Sequence, residues 1–120
     1  MHKNLIYAAF GWLAFSGSMH FIIDVLSQYI RGRRVHGAET TFYYGLNTSY
    51  ALGQVLFALV CLFLARRAPD LVDSWPMMAL SLAAASAWLA ITVAFMGYWE
   101  PKMNAAIFGA LLIAAIATAK

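Results

Sequence analysis

The sequence predicts an all-α membrane protein, a bundle of four transmembrane helices with short loops. Hydrophobic residues make up 63% of its 120 residues and charged residues only 11%, whereas a soluble domain usually has about 25% charged residues. The mean hydropathy is +0.72. So few charges cannot cover a soluble globule, and the abundance of apolar residues excludes a disordered chain. The apolar residues also form long continuous runs, where a membrane β-barrel would alternate apolar and polar residues.

Four apolar stretches have lengths that suit transmembrane helices. A helix needs about 20 residues to cross a hydrocarbon core about 30 Å thick. The first three stretches exceed that length, and the fourth is near the lower limit. The first is too long for the apolar region of a signal peptide, so we interpret it as a retained helix. The short loops leave no room for a second domain. We expect one domain, 1–120, with spans at about 4–30, 42–65, 75–98 and 103–119.

The loop charges leave the orientation of these spans open. Lysine and arginine favour the cytoplasmic side of a membrane, but four of them fall on each side here. Insertion in both directions therefore stays open, although the dense arginine cluster of the first loop favours a cytoplasmic position for that loop. We expect a multi-pass protein of the cell (inner) membrane. The basic residues are Lys3, Arg66, Arg67 and Lys120 on one side, and Arg31, Arg33, Arg34 and Lys102 on the other.

Polar side chains concentrate at one end of the predicted spans. Residues three or four apart lie on one face of a helix, and such a polar stripe occurs on each of the first two spans. The first and third loops share a side, so the adjoining span ends have similar depth. Buried polar groups usually face a bundle interior or a cavity, which predicts a half-depth polar pocket opening toward that side. The residues are Ser16, His20, Asp24 and Gln28, then Tyr43, Asn47, Tyr50 and Gln54, and finally Tyr98, Trp99 and Glu100.

His20 and Asp24 are the best candidates for chemistry in this pocket. They lie one helical turn apart, where a carboxylate can orient an imidazole and share a proton with it. The hydroxyl of Tyr43 could hold a substrate oxygen, so we assign catalytic roles to these three residues. The assigned ligand-binding residues are Ser16, Gln28, Tyr44, Asn47, Tyr50, Gln54, Tyr98, Trp99 and Glu100.

Purely structural explanations exist for the same residues. Tyrosine and tryptophan often form a belt at the membrane interface, which would account for Tyr43, Tyr44, Tyr98 and Trp99. Asparagine and glutamine can link helices through hydrogen bonds, and Asp24 is close enough to the end of its span to reach the headgroups. Because the whole set lies at one depth, we favour a shared pocket over these separate explanations.

The sequence contains no signature of a cofactor or metal site. It has neither a P-loop nor a dinucleotide-binding glycine motif, and a single cysteine, Cys61, excludes an internal disulfide and multi-cysteine metal sites. We therefore expect no cofactor and no bound metal. The modest net charge of +3 favours contact with anionic lipid headgroups over nucleic acid.

Three functions are consistent with this pattern. The pocket could take a lipophilic small molecule from the bilayer and perform acid–base chemistry on it, of an isomerase or hydrolase kind. The protein could instead be a small proton-coupled transporter of amphipathic compounds, with Asp24 as the coupling carboxylate. It could also be an accessory subunit of a membrane complex.

The expected partners are membrane lipid and a lipophilic or amphipathic small molecule. Small residues recur at four-residue spacing on the third and fourth spans, which lets helices pack closely in a membrane. That packing serves either the bundle itself or a homodimer or larger homo-oligomer, and both uses stay open.

Overall fold

The structure, a computed structural model of the chain, describes residues 1–32 and 34–119. Arg33 and Lys120, two of the basic residues that bear on orientation, lie outside the described residues. The described part is helical apart from short connections, which confirms the all-helical class. Four helices are long and apolar enough to cross a membrane by length and composition. The elements are α1 (His2–Phe21), a π-helical turn (Ile22–Leu26), α2 (Ser27–Arg31), α3 (Ala38–Arg67), α4 (Pro69–Val72), α5 (Trp75–Phe95) and α6 (Glu100–Thr118).

The first long helix, His2–Arg31, changes its winding near its end. Between α1 and α2 the backbone N–H of Ser27 bonds the carbonyl of Ile22, five residues earlier. Such π turns are rare inside α-helices and are frequently found at functional sites. This one contains Asp24, so the only acidic residue of the predicted span 4–30 lies on the irregular segment.

The helix ends follow the conformational preferences of single residues. Gly32 ends α2 with φ +61°, a left-handed conformation that favours glycine because a Cβ would clash. Proline stands in the first turn of α4, α5 and α6, where its missing N–H costs no hydrogen bond.

The third predicted span is shorter than expected, because α5 ends at Phe95 rather than at residue 98. Met96 takes an extended conformation. Gly97 follows, and glycine has a low helix propensity. Tyr98 therefore lies in the connection between α5 and α6.

The helix α1 is central in the bundle. It packs against α3 on one side and against α6 on the other, and α5 packs on α6. The rings of Phe57 on α3 and Trp88 on α5 are 5.7 Å apart, so these two outer helices meet through long side chains. The close packing order is thus α3–α1–α6–α5, and the interior of the bundle is built around α1.

The core is aromatic and aliphatic, and the outer surface is apolar too. Phe10, Leu13, Phe108 and Leu112 are fully buried, and the rings of Phe10 and Phe108 are 5.7 Å apart. Many large apolar side chains point outward, as expected for helices whose outer surface contacts lipid. They include Phe15, Leu56, Phe63, Val93 and Ile113, each more than half exposed.

Candidate functional site

His20 is the centre of a hydrogen-bonded network that joins α1 to α3. Its Nδ1 atom lies 2.8 Å from Oδ2 of Asp24, one turn farther along the first long helix. Its Nε2 atom lies 2.8 Å from Oδ1 of Asn47 on α3. The side chains of His20 and Asp24 are 4% and 17% exposed. The structure therefore brings the two polar stripes together at His20.

The Asn47 amide determines where His20 carries a proton. Its Nδ2 donates to the main-chain carbonyl of Tyr43 at 2.8 Å, and a carbonyl oxygen can only accept. Oδ1 of Asn47 must then face His20, and Oδ1 is an acceptor as well. Nε2 of His20 therefore carries a hydrogen, while Nδ1 faces the Asp24 carboxyl group with a single proton between them.

This arrangement makes His20 and Asp24 a neutral pair. The shared proton is either on the ring, giving imidazolium and carboxylate, or on Asp24, giving neutral imidazole and carboxylic acid. The total charge is zero in both forms, which avoids the high cost of an unpaired charge in apolar surroundings. Because Asn47 occupies Nε2, the proton available for transfer is the one beside Asp24.

Two tyrosines support the network without hydrogen bonding to the imidazole. The Tyr43 hydroxyl donates to the main-chain carbonyl of Asp24 at 2.9 Å, so it holds the π turn rather than the ring of His20. The Tyr98 hydroxyl donates to Oδ1 of Asn47 at 3.3 Å. Burial, reinforced by the negative charge of Asp24, raises the pKa of Tyr98 well above its usual range. Tyr98 therefore stays protonated and remains a donor.

Three of the predicted ligand-binding residues lie deeper along the same seam. The Tyr50 ring packs edge-on against the His20 ring, with centroids 5.1 Å apart, and its buried hydroxyl has no hydrogen-bond partner among the described residues. Gln54 is 2% exposed and lies on α3 beside Gly17 of α1. The hydroxyl of Ser16 bonds its own helix at the Leu13 carbonyl. These residues face one another across α1 and α3 rather than an open cavity.

The remaining predicted residues lie at the edge of the site. Gln28 accepts a hydrogen bond from Nε of Arg34 at 3.0 Å, and Tyr44 packs against Tyr43 with ring centroids 5.5 Å apart. Trp99 is 62% exposed and belongs to the connection before α6. These residues surround the network, and within the described part of the chain none of them hydrogen bonds to His20 or to the Asp24 carboxyl group.

A small cavity opens beside Asp24 between α1 and α6. Its volume is about 130 Å³, which suits a small polar group but not a whole drug-sized molecule, since pockets for such ligands measure about 300–1,000 Å³. Asp24, Glu100 and Asn104 are polar residues of the lining, and Met19 and Ile23 are exposed apolar ones. The cavity thus lies between Asp24 and the outer surface of the bundle.

The site is closed toward the opposite end of the bundle. Phe10, Leu13 and Phe108 fill the interior below His20 and are at most 1% exposed. Among the described residues, no group of three or more His, Cys, Asp or Glu side chains could hold a metal ion. The arrangement can hold and exchange one proton at a cavity that is open on one side only.

Sequence reasoning missed two residues that shape this site. The guanidinium of Arg34 lies 3.3 Å from the centroid of the Tyr43 ring, which depends on a loop conformation that no sequence pattern reveals. Asn104 lines the cavity, and its main-chain carbonyl accepts a hydrogen bond from Nε1 of Trp12 at 3.1 Å. Asn104 lies at the start of the fourth span, on the side of the polar cluster. That position could have identified it as a site residue.

The fold and the site together define a class: an all-helical chain with four helices able to span a membrane and an internal His–Asp–Asn network beside a small lateral cavity. Comparison with protein-family models gave no match, and no curated protein or solved structure matches the chain either. We therefore infer the function from the geometry of the site.

Proposed function

We propose that the protein is an integral membrane protein that binds a lipophilic small molecule by its polar head at the Asp24 cavity and exchanges a proton with it. The observation that carries this proposal is the His20–Asp24 pair, a proton-sharing pair that opens onto a cavity at the side of the bundle. A molecule in the bilayer could reach the cavity laterally and leave its apolar body in lipid against Met19 and Ile23.

The polarity of the cavity favours a head that donates hydrogen bonds or accepts a proton. Asp24 and Glu100, two acidic residues, both line it. When a basic head takes the shared proton, the ligand becomes a cation and the His20–Asp24 pair is left with one negative charge, so the two charges compensate each other. Return of that proton to a second atom of the ligand would be an isomerase-like step.

The test compares lipophilic compounds that remain bound to the purified full-length chain. Wild-type protein and the Asp24→Asn variant are purified in detergent, extracted with organic solvent and analysed by mass spectrometry. Asp70→Asn is the matched control, because Asp70 is an exposed residue of α4. We expect an amphipathic compound in the wild type and the control and its loss from Asp24→Asn. Equal amounts in all three folded proteins would contradict the proposal.

A proton-coupled transporter is the second candidate, and the π turn around Asp24 favours it. A π turn can convert to α-helix by shifting hydrogen bonds by one residue, which would move Asp24 relative to α3 and α6. Transport also needs access from the other side of the membrane, and Phe10, Leu13 and Phe108 close that path here.

Transport and binding differ in one measurable outcome. Proteoliposomes with a trapped pH dye report proton movement driven by a gradient of an amphipathic compound. Binding with local proton exchange predicts no sustained flux. A flux that Asp24→Asn abolishes would favour the transporter.

A further inference from the structure

A groove made of two separate cavities follows the first long helix and α3, beside the site described above, with which it shares the edge residues Arg34 and Tyr44. Its upper part is a cavity of about 660 Å³ at the first loop, where Arg34, His36 and Thr40 lie beside Tyr29 and Tyr44. Its lower part is an apolar groove of about 400 Å³ whose lining includes Phe21, Ile22, Leu52 and Val55. The upper part is polar and aromatic, and the lower part is almost entirely apolar.

The two parts belong to one stripe of α3. The α3 residues of the upper part are Thr40, Thr41 and Tyr44, and those of the lower part continue at positions 48, 51, 52 and 55. Steps of three or four residues keep all of them on one helical face. At a rise of 1.5 Å per residue, Thr48 and Val55 are about 10 Å apart along the helix, which fits within one leaflet of hydrocarbon about 15 Å deep.

The upper part carries positive charge at the depth expected for lipid headgroups. The 30 residues of α3 span about 45 Å, about 15 Å more than a hydrocarbon core of about 30 Å, so α3 is long enough to reach the headgroups. Arg34 is fixed by its Nε hydrogen bond to Gln28 and by the Tyr43 ring, and no described residue accepts a hydrogen bond from its two terminal nitrogens. No acidic side chain is among the described lining residues; Glu39, in the first turn of α3, is exposed outside it.

We propose that this groove binds one anionic phospholipid. Its phosphate lies at Arg34 and His36, and one acyl chain follows Phe21, Ile22, Leu52 and Val55. The upper part of the groove is basic, whereas the Asp24 cavity is acidic and lies between α1 and α6. The proposal therefore does not depend on the proposed function.

The test measures phosphatidylglycerol bound to the full chain in detergent micelles, by native mass spectrometry. Arg34→Gln should weaken apparent binding about fivefold, the usual effect of one basic residue near an anionic lipid. Arg31→Gln is the control, because Arg31 is an exposed basic residue at the same loop that does not line the cavity. Arg34→Lys keeps the charge and should retain most of the binding. Circular dichroism checks that each variant is folded.

The apolar half is tested with a matched pair on α3. Leu52→Trp fills the groove and should reduce binding of phosphatidylglycerol, whereas Leu56→Trp, at a residue of nearly equal exposure outside the groove, should not. Inorganic phosphate, which has no acyl chain, should fail to displace the lipid at equal concentration.

Several results would overturn the proposal. Equal losses in Arg34→Gln and Arg31→Gln would show only general attraction between the loop and anionic lipid. Displacement by inorganic phosphate would identify a site for free phosphate. If Leu52→Trp dissociated an oligomer and left lipid binding unchanged, a second copy of the chain would be the occupant.

Discussion

Asn47 is the residue on which the chemistry of the site depends most. It holds Nε2 of His20 through Oδ1 and is itself fixed by the Tyr43 carbonyl and the Tyr98 hydroxyl. The sequence placed Asn47, His20 and Asp24 on facing stripes, because helical spacing is readable. It could not show which atoms bond, since an interhelical contact depends on the rotation of both helices. Tyr43 illustrates the limit, because its hydroxyl meets a main-chain carbonyl that no pattern of side chains indicates.

Removing the Asn47 amide should destabilise the protein more than removing the Tyr98 hydroxyl. Asn47→Leu leaves Nε2 of the buried His20 and the half-buried Tyr98 hydroxyl without their partner, which we expect to cost about 2–4 kcal/mol. Tyr98→Phe removes one hydrogen bond and should cost about 1 kcal/mol. Chemical unfolding in detergent, followed by circular dichroism, measures both values. Equal effects would mean that Asn47 does not organise the network.

The raised pKa of Tyr98 predicts a loss of stability at alkaline pH. The unfolded tyrosine ionises near pH 10, whereas the folded hydroxyl keeps its proton to higher pH. Its contribution is therefore complete below about pH 10 and is lost as the pH rises through the folded value. The difference in unfolding free energy between wild type and Tyr98→Phe should shrink above about pH 10. A difference that stays constant across that range would refute the prediction.

At the scale of helices, the approach of α1 to α3 depends on one glycine. A Cβ at Gly17 would lie 3.0 Å from Cγ2 of Val55 and 3.1 Å from Cβ of Gln54, closer than ordinary contacts. The apolar stretches predicted the long helices, but not this contact, because the sequence does not say which face of α1 meets α3. The π turn was equally hidden, since its sequence has no distinctive residue.

Two glycines of α1 provide a matched pair for this contact. Gly17→Ala should separate α1 from α3 and destabilise the protein by about 1–3 kcal/mol, as overpacked sites do. A Cβ at Gly11 would have no neighbouring atom within 4 Å. Gly11→Ala should therefore be neutral or stabilising by up to about 1 kcal/mol, because alanine favours helix. Thermal unfolding of both variants measures the two changes in stability. A stable Gly17→Ala protein would mean that the helices are farther apart.

At the scale of the whole molecule, the distribution of apolar residues is inverted relative to a soluble domain. The interior holds a polar network as well as aromatic rings, while large apolar side chains cover the outside. The high share of apolar residues and the low share of charged ones predicted this apolar outer surface. The packing order α3–α1–α6–α5 was not predictable, because short loops allow several arrangements of four helices.

Phenylalanines inside and outside the bundle should respond differently to truncation. Phe108→Ala leaves a cavity in the core and should cost about 3–5 kcal/mol. Phe95 is 70% exposed, so Phe95→Ala should cost less than about 1 kcal/mol. Unfolding measurements in the same detergent compare the two. Similar losses would contradict the assignment of Phe108 to the core.

The most direct test of the account is the protonation of the two His20 ring nitrogens, measured by NMR of protein labelled with ¹⁵N-histidine. The His20 signals are assigned by comparison with His20→Gln. We predict that Nε2 carries a hydrogen in the folded protein, and that Asp24→Asn changes the Nδ1 signal while Asp70→Asn does not. An Nε2 atom without hydrogen in the folded protein would contradict the proton-sharing pair and the proton exchange that we propose for it.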